Sequence, residues 1–484
     1  MNYLELLRLA FPEAHVVVTA LVVLAIGLTR PRAKTLTTAV AAVGLVLAAI
    51  AVVRLPEQAA FSGAMLVISP LSSLFKLICL TLALFTVLLA HSGSDSRRHH
   101  AEYLALLLLG TVGLLLLVGS DELLMIFIGL ELTGLSLYLM TAFDKTDPQS
   151  AEAGLKYFLF GSTASAFTLF GLSFVYGMAG STTLATIGEK LSGGSVQPLL
   201  AAGIVMTLVG FAFKIAAAPF HLWAADAYQG APIPSAAFIA SGSKVASFVV
   251  LGKLVLVGFG PLQGSAAWHA MTAGWSPILA ALAAVSIVVG NLVALAQRNV
   301  RRLLAYSAVA HAGYTLLGLV SGPAGFPATL FYTTIYAFTL VGAFAVIAQV
   351  RAATGGDDIA NFTGLRSRSP LLASCMAIFL LSLAGLPPLA GFFGKFYLFS
   401  AALAAGDHHG LLWLVALALL GSLVSLYYYL TILRAIFVED HATAFPPITS
   451  SAVQRVPLTV LASGVIVAGI LPTNLVDRIL AALQ

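Results

Sequence analysis

The sequence predicts an all-α polytopic membrane protein of about fourteen transmembrane helices, with two inverted five-helix repeats and broken helices 7 and 12. Three observations carry that expectation: an extreme apolar composition, apolar stretches that recur at membrane-spanning length, and a lopsided distribution of lysine and arginine. Of the 484 residues, 60% are hydrophobic and 9% charged. Soluble domains carry roughly 25% charged residues, so this chain has too few polar groups to coat a water-facing surface. The net charge of +5 is small for this length and argues against a nucleic-acid partner.

Spans are expected near 14–29, 35–53, 67–91, 101–119, 122–143, 153–178, 196–224, 234–260, 272–296, 301–321, 326–350, 370–403, 409–437 and 455–476. Loops after odd-numbered spans hold Arg30, Arg32, Lys34, Arg97, Arg98, Lys145, Lys156, Arg298, Arg301, Arg302, Arg351, Arg366, Arg368, Arg434 and Arg455. The termini and the other loops hold Arg8, Arg54, Lys190 and Arg478, with Lys253 near a helix end. A miscounted helix would scramble that split. The positive-inside rule then puts both termini on the non-cytoplasmic side of the cell inner membrane. The N-terminus lacks a basic region and a cleavage site and is expected to be retained. The longest connections, near 180–195, 351–369 and 438–454, are too short to fold a catalytic domain.

Chemistry must therefore sit inside the membrane. Five ionisable residues fall well within apolar spans: Lys76, Glu131, Lys214, Lys244 and Lys395. Each central charge costs about 2.5–3.5 kcal/mol, so each needs a partner, a wet cavity or a function. Glu131 lies near the middle of its span, too deep for a short carboxylate to snorkel; the alternative to function is a protonated or paired glutamate that glues helices. Lys214 precedes Pro219, whose missing N–H should break helix 7. Broken helices at membrane depth line cavities and mark ion paths. Lys395 follows Gly385-Leu386-Pro387-Pro388 in a second interrupted helix. Lys244 has Ser241 and Ser243 beside it to hold water, whereas Lys253 reads as a snorkelling lysine. Lys76, with no break and no companion carboxylate in view, reads as a packing or snorkelling residue.

His311 is flanked by Tyr306, Ser307 and Tyr314, which leaves a proton relay and a satisfied core histidine both open. Tyr332 and Tyr336, one turn apart, either carry water along that face or only pack. His221, just past the first break, either closes a helix end or exchanges protons with the cytoplasm. Cys79 and Cys375 lie in apolar segments, without the Cys/His grouping that an iron–sulfur cluster or zinc needs. No nucleotide fingerprint occurs, so no cofactor or metal is expected in this chain. The two interrupted helices are five spans apart, and an odd separation inverts the second relative to the first. This divides the chain into helices 1–3 (1–100), a first repeat of helices 4–8 (101–260), a second, inverted repeat of helices 9–13 (270–437), and helix 14 (438–484).

Six segments in this order, GLELTGLSLYLMTAF, EAGLKYFLFGSTASAFTLFGLSFVYG, FKIAAAPFHLWAADAYQGAP, SKVASF, NLVALAQRNVRRLLAYSAVAHAGY and SLAGLPPLAGFFGKFYLF, resemble one family between about residues 100 and 437. It is the antiporter-like subunit N of proton-pumping NADH:quinone oxidoreductase, respiratory complex I. The resemblance implies a translocase subunit in which Glu131 pairs with Lys214, Lys244 occupies the middle of a proton path, and Lys395 controls the far exit. It also implies that FMN, iron–sulfur clusters and quinone belong to partner subunits, and that neighbouring antiporter-like and small membrane subunits surround this chain. Ala225, Arg301 and Ala308 depart from the family's frequent Pro, Lys and Ser, and an arginine at 301 cannot usefully release a proton. Two other readings share these residues: a subunit of a cation/proton antiporter, and an ion-pumping membrane-bound hydrogenase. A purely structural spacer is disfavoured by the cost of the midspan charges.

Overall fold

A computed structural model describes residues 3–92, 99–192, 197–405, 410–439 and 446–484. Arg97 and Arg98, counted in the charge split, lie outside the described residues. The chain opens with the short helix α1 (Tyr3–Leu9), followed by α2 (Phe11–Thr29), α3 (Lys34–Val53) and α4 (Pro70–Ser92). Next come α5 (His100–Val118), α6 (Leu123–Thr141), α7 (Pro148–Ala179), α8 (Leu184–Leu191), α9 (Pro198–Lys214), α10 (Leu222–Gly230), α11 (Ile233–Phe238) and α12 (Lys244–Lys253). The second half holds α13 (Trp275–Leu295), α14 (Val300–Val320), α15 (Phe326–Thr354), α16 (Leu365–Arg368), α17 (Pro370–Ala384), α18 (Ala390–Ala404) and α19 (Leu412–Phe437). Helices α20 (Ala452–Ile470) and α21 (Thr473–Leu483) end the chain.

Among the described residues, twelve helical stretches are long and apolar enough to cross a bilayer. They fall on the stretches predicted as spans 1–6, 8–11, 13 and 14. Spans 7 and 12 correspond to shorter pieces, α9 and the pair α17 and α18, because both are interrupted. Span 8 is continuous from Ile233 to Gly258 but not uniformly α-helical: π-helical turns occupy Ile239–Ser243 and Leu254–Gly258. Boundaries follow capping chemistry. Asp147 accepts from the Gln149 amide with Pro148 at the first position of α7, and Asn299 accepts from the Arg302 amide at the start of α14.

The connection after α3 carries a short antiparallel hairpin, Ala59–Phe61 paired with Leu66–Ile68, the only strands among the described residues. The segment 438–484 carries two helices, because Pro472 follows the end of α20 and the amphipathic α21 returns to pack on α4 and α15.

Burial sorts the helices into an inner set and an outer set. Span Ile233–Gly258 and α14 are each 94% buried across their apolar window and the α15 span 89%, against 33% for α7 and 28% for α20. Helices that are apolar all round belong inside. Helix α4 joins the N-terminal helices to both halves, since it touches α5, α11, α12, α15, α20 and α21.

Ion pairs gather at one end of the bundle. Asp226 accepts from Lys156 at 2.8 Å and from Arg302 at 2.6 Å, and Asp357 pairs with Arg301 and, at 3.1 Å, with Arg351. These residues come from the ends predicted as cytoplasmic, where most of the basic residues fall. Arg301 is 2% exposed and also donates to the Ala231 carbonyl at 2.9 Å, so it serves as a brace between loops. Burial pushes the Asp357 carboxyl up, but Arg301, Arg351 and the Asn299 amide outweigh it and hold it below the usual carboxylate range. A carboxyl depressed by folding adds stability above its unfolded pKa of about 3.9 and loses it as pH falls through the folded value. Asp357→Asn should therefore cost about 3–5 kcal/mol at neutral pH, because it strips a buried guanidinium of its carboxylate. Thermal melts should show this deficit at pH 7 and show it shrinking in acid.

Candidate functional site

The first interruption begins where α9 stops, at Lys214. Pro219 cannot extend a helix, and Ala216 adopts a left-handed backbone with φ of 58°. Backbone groups freed by the break find partners inside the protein, as membrane depth requires. The Ala218 amide donates to Ser286 Oγ at 2.8 Å and the Trp223 indole donates to the Phe213 carbonyl at 3.2 Å. Trp223 stacks on Tyr157 with ring centroids 4.1 Å apart, which fixes α10 against α7.

Lys214 is buried, and its side chain and Glu131 line one small pocket of about 20 Å³, room for about one water, between α6, α7 and α9. The pocket also contains Tyr138, Ser165 and Thr168. The direct ion pair implied by the family resemblance is not formed: among the described residues no ion pair joins the two, and Glu131 instead accepts a hydrogen bond from Ser165. Glu131 is also half-buried rather than fully enclosed, because Ile128 and Leu135 beside it face outward.

The inner helices carry the next groups. The Lys244 ammonium donates to the Ala308 carbonyl of α14 at 2.7 Å and sits 5.4 Å above the Tyr336 ring. A backbone carbonyl does this work, so the absence of a hydroxyl at Ala308 does not remove the contact. One turn on, His311 lies with its ring 4.9 Å from Tyr336. Its Nδ1 is 2.6 Å from the Tyr332 hydroxyl and its Nε2 is 3.1 Å from the Tyr429 hydroxyl. Tyr429 is hydrogen-bonded in turn to Ser307.

Beyond His311, Tyr314 continues the series with its ring 5.5 Å away. The Tyr314 hydroxyl accepts from Asn291 at 2.9 Å, and Asn291 accepts from Tyr428 at 3.1 Å. The Lys395 ammonium sits 5.2 Å from the Tyr314 ring and donates to Ser422 Oγ at 2.8 Å. It also donates to the Ala384 carbonyl at 3.0 Å, so the lysine itself satisfies a backbone group freed at the second break. Gly385 is required there for two reasons. Its φ is +86°, and a Cβ would lie 2.9 Å from Lys395 Cδ. Lys244, Tyr336, His311, Tyr314 and Lys395 thus form one contiguous row through the buried half of the bundle.

The structure does not bring every named residue into that row. His221 stands at the start of α10 with its ring 6.1 Å from Tyr306, and its Nδ1 is buried with no hydrogen-bond partner. The Tyr336 and Tyr228 hydroxyls are likewise buried and unpartnered. No hydrogen bond links Lys214 to Lys244 among the described residues. Sequence reasoning missed Ser165, Asn291, Ser422, Tyr428 and Tyr429. The run Tyr427-Tyr428-Tyr429 on α19 was an available signal.

Lys76 requires a correction. It does have a companion carboxylate: its ammonium lies 2.7 Å from Glu13 Oε1, with side chains 0% and 5% exposed. Glu13 sits near the start of α2, 63 residues earlier in the chain, and only the packing of α2 and α4 around α5 brings the two together.

Comparison with known proteins shows the family. A family model described as NADH:quinone oxidoreductase/Mrp antiporter, TM, matches residues 120–424. A protein of Acidobacterium capsulatum named NADH-quinone oxidoreductase subunit N 2 is 45% identical, with 99% of each chain covered. A chain of respiratory complex I from Thermus thermophilus superposes with a TM-score of 0.80 at 34% identity, covering 96% of this chain and 98% of that one. A chain of the Mrp complex from a Dietzia species shares the fold at 20% identity, with a TM-score of 0.85 over 100% of this chain and 97% of that one. Matched over more than half its length by the family model and end to end by a named subunit N, the chain belongs to the NADH:quinone oxidoreductase/Mrp antiporter transmembrane family.

Proposed function

We propose that the chain is a proton-translocating membrane-arm subunit of an NADH:quinone oxidoreductase, moving H⁺ along the Glu131, Lys214, Lys244, His311 and Lys395 series. The observation that carries this reading is the enclosure of three lysines and a histidine in the bilayer-depth interior, each 6% exposed or less, spaced by tyrosine rings and hydroxyls. Unpaired, such charges cost about 2.5–3.5 kcal/mol each at the bilayer centre, and a spacer would replace them by leucine. Protons reach Lys214 from the end bearing His221, pass to Lys244 through water held by buried hydroxyls, cross His311, and leave at Lys395. The Tyr332 and Tyr429 hydroxyls hold the two His311 nitrogens so that one can take a proton while the other releases one.

In this reading the two interrupted helices belong to two inverted repeats, 101–260 and 270–437, within a fourteen-span chain. Both termini face away from the cytoplasm in the cell inner membrane. The energy comes from quinone reduction in partner subunits that hold FMN and iron–sulfur clusters, because the residues of this chain supply proton-carrying groups rather than electron carriers.

Purification of the tagged chain from its own membranes in mild detergent tests the assignment. Flavin- and iron–sulfur-bearing subunits should co-purify, NADH should drive quinone reduction, and Lys244→Ala should lower protons moved per electron. Co-purification with antiporter or hydrogenase subunits instead would sink it.

A further inference from the structure

The ten-residue helix α12 begins at Lys244 and ends at Lys253, and a π-helical turn adjoins each end. A π turn holds one residue more per turn than an α turn, occurs mostly as a short insertion, and is frequent at functional sites. Two of them at opposite ends let the intervening α segment shift by one residue, about 1.5 Å and 100°, without moving its flanks. Lys244 and Lys253 would then move together, because they share one rigid piece about 13.5 Å long.

The far end of that piece is moored. The Lys253 ammonium donates to the Val118 carbonyl at 3.0 Å, where α5 ends, and pairs with Asp121 at 2.8 Å. Lys253 is 8% exposed and Asp121 35%, so the buried lysine has its counter-charge at an opening to solvent. Two other charged groups lie at this turn: Lys76, whose ammonium would be 3.0 Å from a Cβ at Gly119 and is neutralised by Glu13 from the other side, and the buried Glu122, whose carboxylate accepts from the Met125 amide at the start of α6. Two ammoniums at the carbonyl end of α5 also match the negative end of its dipole. Lys253 is thus not a lysine reaching for the headgroups, as the sequence suggested, but the anchored end of the segment that presents Lys244.

We propose that Lys253 and Asp121 form a positioning pair, holding the Lys244–Lys253 segment in the register that directs the Lys244 ammonium onto the Ala308 carbonyl. This rests on the reading of Lys244 as a proton carrier. Breaking the mooring frees the segment to settle in the alternative register and removes the Lys244–Ala308 contact, although no group that carries the proton has been altered.

The test uses the assembled complex in sealed vesicles with Lys253→Met, Lys253→Arg, Asp121→Asn and Lys244→Ala. Loss of the charged hydrogen bond to the Val118 carbonyl predicts about a tenfold fall in coupled proton transfer for Lys253→Met. Its pH–pumping profile should be displaced, while Lys253→Arg should restore both because it keeps the charge and the donors. Asp121→Asn should follow Lys253→Met, and decides the matter if the latter does not assemble. Wild-type pumping and an unmoved pH profile in Lys253→Met and Asp121→Asn, with Lys244→Ala inactive, would overturn the mooring and leave the proton path intact. Full pumping in Lys244→Ala would instead overturn the path itself.

Discussion

Lys214→Ala in the assembled complex should lower proton pumping by at least about tenfold and slow coupled turnover, with assembly unchanged. The lysine ends α9 and shares a pocket with Glu131, but no other helix depends on it for an ion pair. Its removal therefore leaves no buried carboxylate stranded, since Glu131 keeps its hydrogen bond from Ser165. What is lost is a titratable group at the point where the broken helix opens. Moving one charge against 100 mV requires about 2.3 kcal/mol, and a path with a gap at its first station cannot deliver it. Glu131→Ala should act in the same direction and less strongly, because Lys214 retains its proton-carrying amine while losing the nearby negative charge. Dye-quench measurements of proton uptake against NADH oxidation rate check both. Wild-type protons per electron in both variants would refute the path.

Lys76→Ala should destabilise the protein by about 3–5 kcal/mol, as much as the loss of the Asp357 carboxylate. The sequence alone suggested that it would matter little. Its partner Glu13 is 4% exposed, and neither Glu13 oxygen has a hydrogen-bond partner, so losing the ammonium strands a carboxylate in the protein interior. The double variant Lys76→Met with Glu13→Leu should recover most of that loss. Replacing a whole buried ion pair by apolar groups of similar size is often neutral or stabilising. Yield and thermal stability of the complex across the double-mutant cycle measure the coupling. If Lys76→Ala alone proves as stable as wild type, the pair does not hold α2 to α4. Proton pumping should be unaffected in the double variant, which separates this brace from the path.

Much of this protein was legible before any coordinates. Composition alone required lipid solvation, since 9% charged residues cannot cover a water-facing surface. Pro219 and the run Gly385-Leu386-Pro387-Pro388 announced both helix interruptions, because a proline nitrogen has no proton to donate. The midspan lysines declared themselves by the energetic cost of their position. These are local properties, carried by each residue wherever the chain later goes.

Pairing was a different matter, because a partner distant in sequence leaves no periodicity to detect. Glu13 meets Lys76, and Tyr429 and Tyr332 meet His311, only when separate helices close around one another. The same packing kept Glu131 at an open pocket rather than against Lys214, and set Lys253 beside Asp121. The sequence by itself determined that charges would be buried in a membrane and where the backbone would break, because both follow from single residues and their solvent. Only the tertiary structure decided which charge faces which, because at ångström range electrostatics depends on the fold and not on order along the chain.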